Sequence, residues 1–475
     1  MIKLSDIIDA ENDSLVYSAP SPLNSDISLW SLIRFSYHRL IVQKIFKNDY
    51  VSASKSIRTI DKARRIAVGA SHSLTNSKTR IKHGQKDVVI STSGGRYQTI
   101  GGKTFNILSD YFYSAAEFST AILEEFELGT SLHDRLPQVV YSNNPFYVAA
   151  NIAGRFSQKV SGEKIREFVY YLSEITENRL NLVLKLEERK WLECLLSKSC
   201  CEVEIYLRLY GIFLGKLKPK ILLAQCASYG GSQSVGMLLA ARARGIKTAE
   251  FQHGIITKGT ESYNFPAAMN NSVLFKNSVP DYILLYGNIW NDGTNTSSQR
   301  VVIGCPNRTE SISKLSEAQC ERVWVTVLGN GYDTAEYIRL CNLMSKINPL
   351  LHINFRPHPI ERANAKAIAK GSDLNVDFDL NIYRTFKKSR VLIGEVSKSL
   401  YEAIGLVDHI FSIDSSRSCF FDPESPFRRI DDLAAFCENE FVTKIAETDL
   451  NCVNQISYWE DSWKENYNNF IHELT

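Results

Sequence analysis

Two short segments about a hundred residues apart carry the residue types best suited to chemistry: Phe251-Gln252-His253-Gly254 and Phe355-Arg356-Pro357-His358-Pro359. Each closes an apolar run that reads as a β-strand. In open parallel sheets ligands bind outside the carboxyl ends of the strands, so both histidines are aimed at a ligand crevice. One such cluster in each half of the chain implies two facing domains. His253 suits a reacting centre because imidazole titrates near neutral pH and can give or take a proton, although a turn histidine bonded to backbone would read the same way. Glu261 and Asp110 are alternative bases.

The second half carries further groups suited to anions. Pro357 and Pro359 stiffen the backbone around Arg356 and His358, and rigid presentation of a guanidinium and an imidazole fits a negatively charged ligand. Gly329-Asn330-Gly331 lies between a predicted strand and a predicted helix, where backbone amides can face a phosphate; an ordinary turn would use the same residues. In Gly394-Glu395-Val396-Ser397-Lys398-Ser399-Leu400-Tyr401-Glu402, Ser397 and Ser399 suit a nucleotide phosphate and Glu402 suits ribose hydroxyls as a bidentate acceptor. Ser399 and Glu402 also match a helix capping box.

The elements that must position these groups follow from periodicity and punctuation. The first ninety residues read as helical and irregular. Strands are predicted at 87–91 and 138–141, the first followed by glycine-rich stretches around Gly94-Gly95-Arg96 and Gly101-Gly102. A long amphipathic pattern over 147–214 reads as an inserted pair of helices. A βαβ unit follows, with strands at 221–225 and 248–252 around a helix at 234–244, then short strands within 280–287 and 300–306. After a polar stretch at 308–320 the pattern restarts, with strands at 323–328, 351–355, 390–393 and 409–413 and helices at 334–346, 363–370 and 399–404. The fold class is therefore α/β: two Rossmann-like doubly wound domains, 1–312 and 313–475, facing a cleft, with extra N-terminal and inserted helices. The last forty residues read as helical, and their aromatics (Tyr458, Trp459, Trp463, Tyr467, Phe470) suit packing back across both domains.

Composition narrows the function. At 475 residues, 44% apolar and 23% charged, the chain fits a soluble protein with two large cores. No run of 18 apolar residues occurs and the N-terminus lacks a signal-peptide core, which points to the cytoplasm. The 10 cysteines show no CxxC spacing, so neither zinc nor a disulfide frame is indicated. Between Arg34 and Lys86 thirteen Lys/Arg face two Asp, although the whole chain is only +3. Such a stretch can bind an anionic membrane surface, each basic residue contributing roughly 1 kcal/mol, or it can be a solvated helical face. No aromatic-basic motif accompanies it, so nucleic acid is not expected.

The succession of a glycine loop, a strand ending in His-Pro, and a strand followed by Gly-x-x-Ser-x-Ser-x-x-Glu-Ala resembles the nucleotide-binding C-terminal domain of GT-B glycosyltransferases. The Gln-His-Gly strand end is similar to that of bacterial surface-polysaccharide enzymes: capsule and lipopolysaccharide transferases of the Kdo and sialic acid type, and teichoic acid glycerophosphate polymerases. The resemblance covers about residues 220 to 430. It implies a sugar transferred from a nucleotide donor, held by 313–475, to a growing glycan, free or lipid-linked, entering from 1–312 past Gly94-Gly95-Arg96 and Tyr229-Gly230-Gly231. Gly329, Asn330, Gly331, Arg356, His358, Ser397, Ser399 and Glu402 would hold the donor, and His253, His358 and Glu261 would serve catalysis. No separate cofactor is implied, and a glycan on a lipid would make the enzyme peripheral to the plasma membrane. Sialyltransferases of this fold use an acidic pair before Gly, which Gln252-His253-Gly254 lacks, so the base stays open. A nucleotide-sugar 2-epimerase, a CDP-glycerol-type phosphotransferase and a non-catalytic sugar-nucleotide binding module share enough of the pattern to remain rivals. No Asp-x-Asp clamp for a metal-bound diphosphate occurs. Turnover should therefore persist in excess chelator, and strong inhibition by EDTA would contradict this.

Overall fold

The computed structural model describes residues 2–46, 84–94, 96–126, 135–155, 162–315, 324–362, 365, 374–432, 435–436 and 458–475. Two parallel sheets dominate. The first contains β1 (Val88–Ser93), β4 (Thr120–Glu125), β5 (Val140–Ser142), β6 (Ile221–Ala224), β7 (Lys247–Phe251), β8 (Tyr282–Leu285) and β9 (Gln299–Val302) in the order β5-β4-β1-β6-β7-β8-β9. The second contains β10 (Trp324–Leu328), β11 (His352–Arg356), β12 (Asn375–Val376), β13 (Ser389–Gly394), β14 (His409–Ile413) and β15 (Arg428–Ile430) in the order β12-β11-β10-β13-β14-β15. Each begins near its middle, winds to one edge and returns to wind to the other, which is the doubly wound arrangement expected. The strand order reverses between β1 and β6 in one lobe and between β10 and β13 in the other.

Burial explains why the strands read as apolar runs. In β1, Val88 and Ile90 face one core with Ile122, Leu223 and Phe251, while Val89 faces another with Leu123, Leu222 and Ala224. Both faces are covered, as parallel sheets require. Helix Leu186–Leu217 is no peripheral insertion: Tyr206, Tyr210 and Phe213 pack on the first sheet, and Leu192, Leu196 and Val203 pack with the N-terminal helices Leu4–Glu11 and Leu29–Ile45.

Several expectations need correction. The glycine-rich stretch after β1 is a hairpin, β2 (Tyr97–Ile100) and β3 (Lys103–Asn106), whose turn uses Gly101 and Gly102 at positive φ. The terminal helix Trp463–Leu474, grouped above with 313–475, packs into the first lobe, where Trp463, Tyr467 and Ile471 meet Phe112 and β-strand side chains. Its apolar stripe shares that face of the sheet with Tyr111 and Phe112 of helix Asp110–Ala115. Of the basic stretch, Arg34 is buried on Glu11 and Lys44 pairs with Glu188, so neither offers its charge to a membrane. Residues 47–83 of that stretch, and nearly all of the expected helix 363–370, lie outside the described residues.

Asp110 is not a free base. Its carboxylate takes two bonds from Arg135 at 2.7 and 2.8 Å, and Arg135 Nε donates to Glu124 at 2.9 Å. All three side chains are fully shielded from solvent. This triad anchors β4, a strand that the sequence pattern concealed because two glutamates end it. Removing the cation leaves two uncompensated buried carboxylates, so Arg135→Ala should cost about 3–5 kcal/mol, read as a large drop in the urea midpoint. A midpoint like that of the parent protein would rule out the triad's structural role.

Candidate functional site

A cleft of about 790 Å³ lies between the carboxyl ends of the two sheets and is lined by both lobes. His253 and His358 both line it. On the first lobe, Gln252 clamps the chain after β7: its amide donates to Gly254 O at 2.8 Å, and its carbonyl accepts from Tyr286 N–H at 2.8 Å. His253 Nε2 then sits 3.4 Å from Cys226 Sγ and 3.4 Å from the Tyr229 hydroxyl. Burial, followed by the charges of Arg96 and Lys398, holds its pKa down at about 4. His253 is thus a neutral imidazole at physiological pH. Glu261 also lines the cleft, on a loop tied down by Arg34, which donates to the Glu261 and Asn264 carbonyls at 2.7 and 2.8 Å.

On the second lobe, His358 caps the short turn Pro359–Glu361. Its Nδ1 accepts from Ile360 N–H at 3.3 Å, and its own N–H donates to the Glu361 carboxylate at 2.7 Å. Because Nδ1 accepts, the neutral ring carries its proton on Nε2, leaving a donor for an anionic ligand. Burial, Arg96 and Arg362 lower its pKa against the opposing pull of Glu361.

Arg356 does not act as expected. It lines the cleft but is buried and engaged elsewhere, donating to Asp377 at 2.6 Å, Thr385 at 2.7 Å and the Asp379 carbonyl at 2.8 Å. Its charge is spent on the ion pair with Asp377. The loop Gly329-Asn330-Gly331 is likewise a structured turn rather than an open anion cradle. The Asn330 amide donates to Asp333 and Glu395, and its carbonyl accepts from the backbone N–H groups of Tyr332 and Asp333. Gly329 lines the cleft and must lack a side chain, since a Cβ there would overlap the Glu361 carboxylate. Gly331 packs against the His358 ring, off the cleft wall.

The segment after β13 holds the strongest chemistry. Ser397 is the N-cap of helix Lys398–Glu402, its oxygen accepting from Ser399 N–H at 3.1 Å, so the Ser399/Glu402 capping box does not form. Ser399 lines the cleft, and its hydroxyl makes no hydrogen bond among the described residues. Glu402 accepts from the Tyr383 hydroxyl at 3.0 Å and pairs with Lys398 at 3.2 Å. Lys398 Nζ lies 3.3 Å from the Tyr286 hydroxyl and 4.7 Å above that ring. Burial alone would depress the Lys398 pKa, but Glu402 and Tyr286 outweigh it and raise it, so the ammonium stays charged in the cleft wall.

Sequence reasoning passed over four lining cations, of which Arg417 is paired with Asp333 and Glu395. Lys398 sat within a segment already singled out, and its spacing four before Glu402 was the available signal. Arg39, in the stretch that reads as membrane-binding or as a solvated face, lines the cleft beside Phe35 instead. Arg362 borders the same space. Arg96, expected near the acceptor, also lines it, whereas Gly94, Gly230 and Gly231 do not, and Gly95 lies outside the described residues. Among the described residues neither Arg39 nor Arg96 has a carboxylate partner. A cleft with such cations, donors on His358 and Ser399, and a neutral imidazole on the facing wall can hold an anionic phosphate and accept a proton beside it.

The depressed His253 pKa has a stability consequence. Between the ordinary value of 6.5 and about 4 the unfolded chain binds a proton that the folded protein refuses. Stability therefore falls as pH drops through that window, by up to about 3 kcal/mol from this group. His253→Gln should flatten the dependence of the unfolding midpoint on pH between 6.5 and 4 relative to the parent; identical profiles would show that His253 is not held neutral.

No family model matches the chain, and no curated protein matches it. Solved structures that it resembles include UDP-GlcNAc 2-epimerase from Neisseria meningitidis, at 12% identity and TM-score 0.42, over 81% of this chain and 98% of that one. Another is UDP-GlcNAc 2-epimerase from Methanocaldococcus jannaschii, at 13% identity and TM-score 0.44, over 82% and 99%. A third is the wall teichoic acid polymerase TagF, at 10% identity and TM-score 0.43, over 90% and 97%.

Proposed function

We propose that this protein is a glycosyltransferase that moves a sugar from a nucleotide-activated donor to a growing bacterial surface glycan of the capsule or lipopolysaccharide kind. The observation that carries the reading is the cleft itself: strand-tip histidines from two lobes border one space whose wall holds Arg39, Arg96 and Lys398. The polysaccharide-enzyme motifs in the sequence supply the class of acceptor. In this reading the glycan is carried on lipid at the cytoplasmic face of the plasma membrane. No helix among the described residues is long and apolar enough to cross a membrane.

The donor's phosphate is held by the second lobe, with His358 Nε2–H, Ser399 and Lys398 as hydrogen-bond donors. The acceptor hydroxyl oxygen bonds to the anomeric carbon as the bond from that carbon to the phosphate oxygen breaks. The electron pair leaves with the nucleotide, and the hydroxyl proton passes to His253. Charge growing on the leaving phosphate meets groups fixed in advance, which is where such sites lower barriers. In the empty cleft His253 is a poor base, since burial, Arg96 and Lys398 all disfavour its protonation. A phosphate beside those two cations cancels their field and raises the imidazole pKa from its low value while burial, the larger cause, stays, so donor binding makes His253 a better base.

Two measurements test this. In a thermal-shift panel of UDP, CDP, CMP, GDP and TDP, one nucleotide at a hundred times its Kd should add about 2.7 kcal/mol of stability. Lys398→Met and His358→Ala should then lose about 10² to 10³ in kcat with the fold intact, while Glu402→Gln chiefly weakens donor binding. Stabilisation by no nucleotide would sink the proposal. Release of an epimerised sugar without acceptor, or of CMP with a phosphodiester product, would replace it by the epimerase or the phosphotransferase; nucleotide binding without turnover on any acceptor would leave a binding module.

A further inference from the structure

A second cavity of about 400 Å³ opens on the first lobe, next to the cleft and sharing Tyr229 with it. Its walls come from helices Asn144–Gly154 and Leu186–Leu217 and from the start of helix Gly231–Arg242. Its volume falls within the ordinary range for small-molecule sites, about 300–1,000 Å³.

The central feature is Tyr206. Its side chain lines the cavity although the residue is only 4% exposed, and its hydroxyl makes no hydrogen bond among the described residues. Burial, then the neighbouring Tyr210, Glu202, Glu125 and Tyr147, push its ionisation well above the ordinary value, so it remains a neutral O–H donor. Three of those neighbours, Glu202, Glu125 and Tyr147, also line the cavity. The hydroxyl opens onto the cavity, where it can donate to a ligand. Around it stand groups with spare capacity. Gln233 donates its amide to Tyr210 at 3.1 Å, and Asn151 donates its amide to the Tyr147 carbonyl at 2.9 Å, so both side-chain carbonyls are left to accept. Glu202 takes the Ser232 hydroxyl at 3.1 Å and Lys198 at 3.2 Å, one bond on each oxygen, with further lone pairs available.

Amide carbonyls, a carboxylate and a phenol among tyrosine rings form a surface for a ligand with several hydroxyls and apolar C–H faces. Charge selects among such ligands. Glu202 is paired with Lys198, so among the described lining residues no cation is spare, whereas the adjoining cleft carries Arg39, Arg96 and Lys398. Phosphates and sugar acids are drawn to the cleft and find no free counter-charge here. We infer that this cavity is a binding subsite for a neutral saccharide unit. Tyr229, whose hydroxyl lies 3.4 Å from His253 Nε2, joins the two spaces, so a chain seated here continues toward the histidine. Naming that chain the acceptor rests on the transferase reading; binding of a neutral saccharide does not.

Saturation-transfer NMR on the full chain, with methyl glycosides of glucose, galactose and N-acetylglucosamine beside methyl glucuronide, tests the assignment. At least one neutral glycoside should bind and the glucuronide should not. Ser232→Trp, which fills the cavity, should abolish the signal, and Tyr206→Phe should weaken binding about tenfold. Both variants should retain the nucleotide thermal shift of the parent. Binding of no neutral glycoside, preference for the glucuronide, or parent-like binding by both variants would overturn the inference. Nucleotide stabilisation without saccharide binding removes the subsite alone; saccharide binding without nucleotide stabilisation removes the transferase proposal alone.

Discussion

Two parallel sheets share one cleft only if something fixes the angle between them, and here that is a buried aromatic seam. Trp290, Tyr401, Tyr458 and Trp459 interlock with centroid separations of 5.1 to 5.9 Å, drawing on the first lobe, the second lobe and the chain's return segment. Trp290 donates to the Tyr458 carbonyl at 2.8 Å and Trp459 to the Tyr401 carbonyl at 3.0 Å, so the rings are oriented as well as buried. Arg308 lies 4.9 Å over Trp459 and donates to the Glu402 and Ile404 carbonyls at 3.2 and 2.8 Å. Those carbonyls end the short helix that bears Lys398. The seam thus reaches the site directly: a cation held at the helix C-terminus fixes the turn that places the Lys398 ammonium.

A second contact between the lobes adds to the seam, with Phe420 buried among the N-terminal helices. The Thr257 hydroxyl donates to the Phe421 carbonyl, and Phe46 at the end of an N-terminal helix stacks on Phe421 and meets Phe420 edge-on. The only ion pair there among the described residues, Lys258 with Glu424, is exposed and adds little.

What the sequence made legible was whatever depends on local order along the chain. Strands covered on both faces read as apolar runs, and a polar residue ending one must lie at a carboxyl edge, which is why His253 and His358 could be brought to one cleft before any contact was known. What stayed hidden depends on partners far away in sequence. Arg356 looked free because Asp377 lies 21 residues on, and Asp110 looked free because Arg135 lies 25 residues on. Arg39 lay in a stretch that reads as membrane-binding or solvated, and Lys398 in a segment where the serines drew the reading, so neither cation pointed to the cleft. The glycine loop was misread for a related reason: glycine marks a tight approach, yet cannot say whether a phosphate or, as at Gly329, a neighbouring carboxylate makes it.

Charge placement unites these observations. The structural cations Arg34, Arg135 and Arg356 are each matched to a carboxylate by short bonds and shielded from water, while Arg308 is held by carbonyls. Along the cleft the pattern reverses, since Arg39 and Arg96 line it without carboxylate partners among the described residues. Burial lowers the pKa of both histidines, and Arg96 adds to it at each of them. A polyanion seated beside Arg96 cancels that part of the field. In the proposed reading the donor's phosphate is that polyanion, and the imidazole of His253 becomes a better base when the sugar arrives.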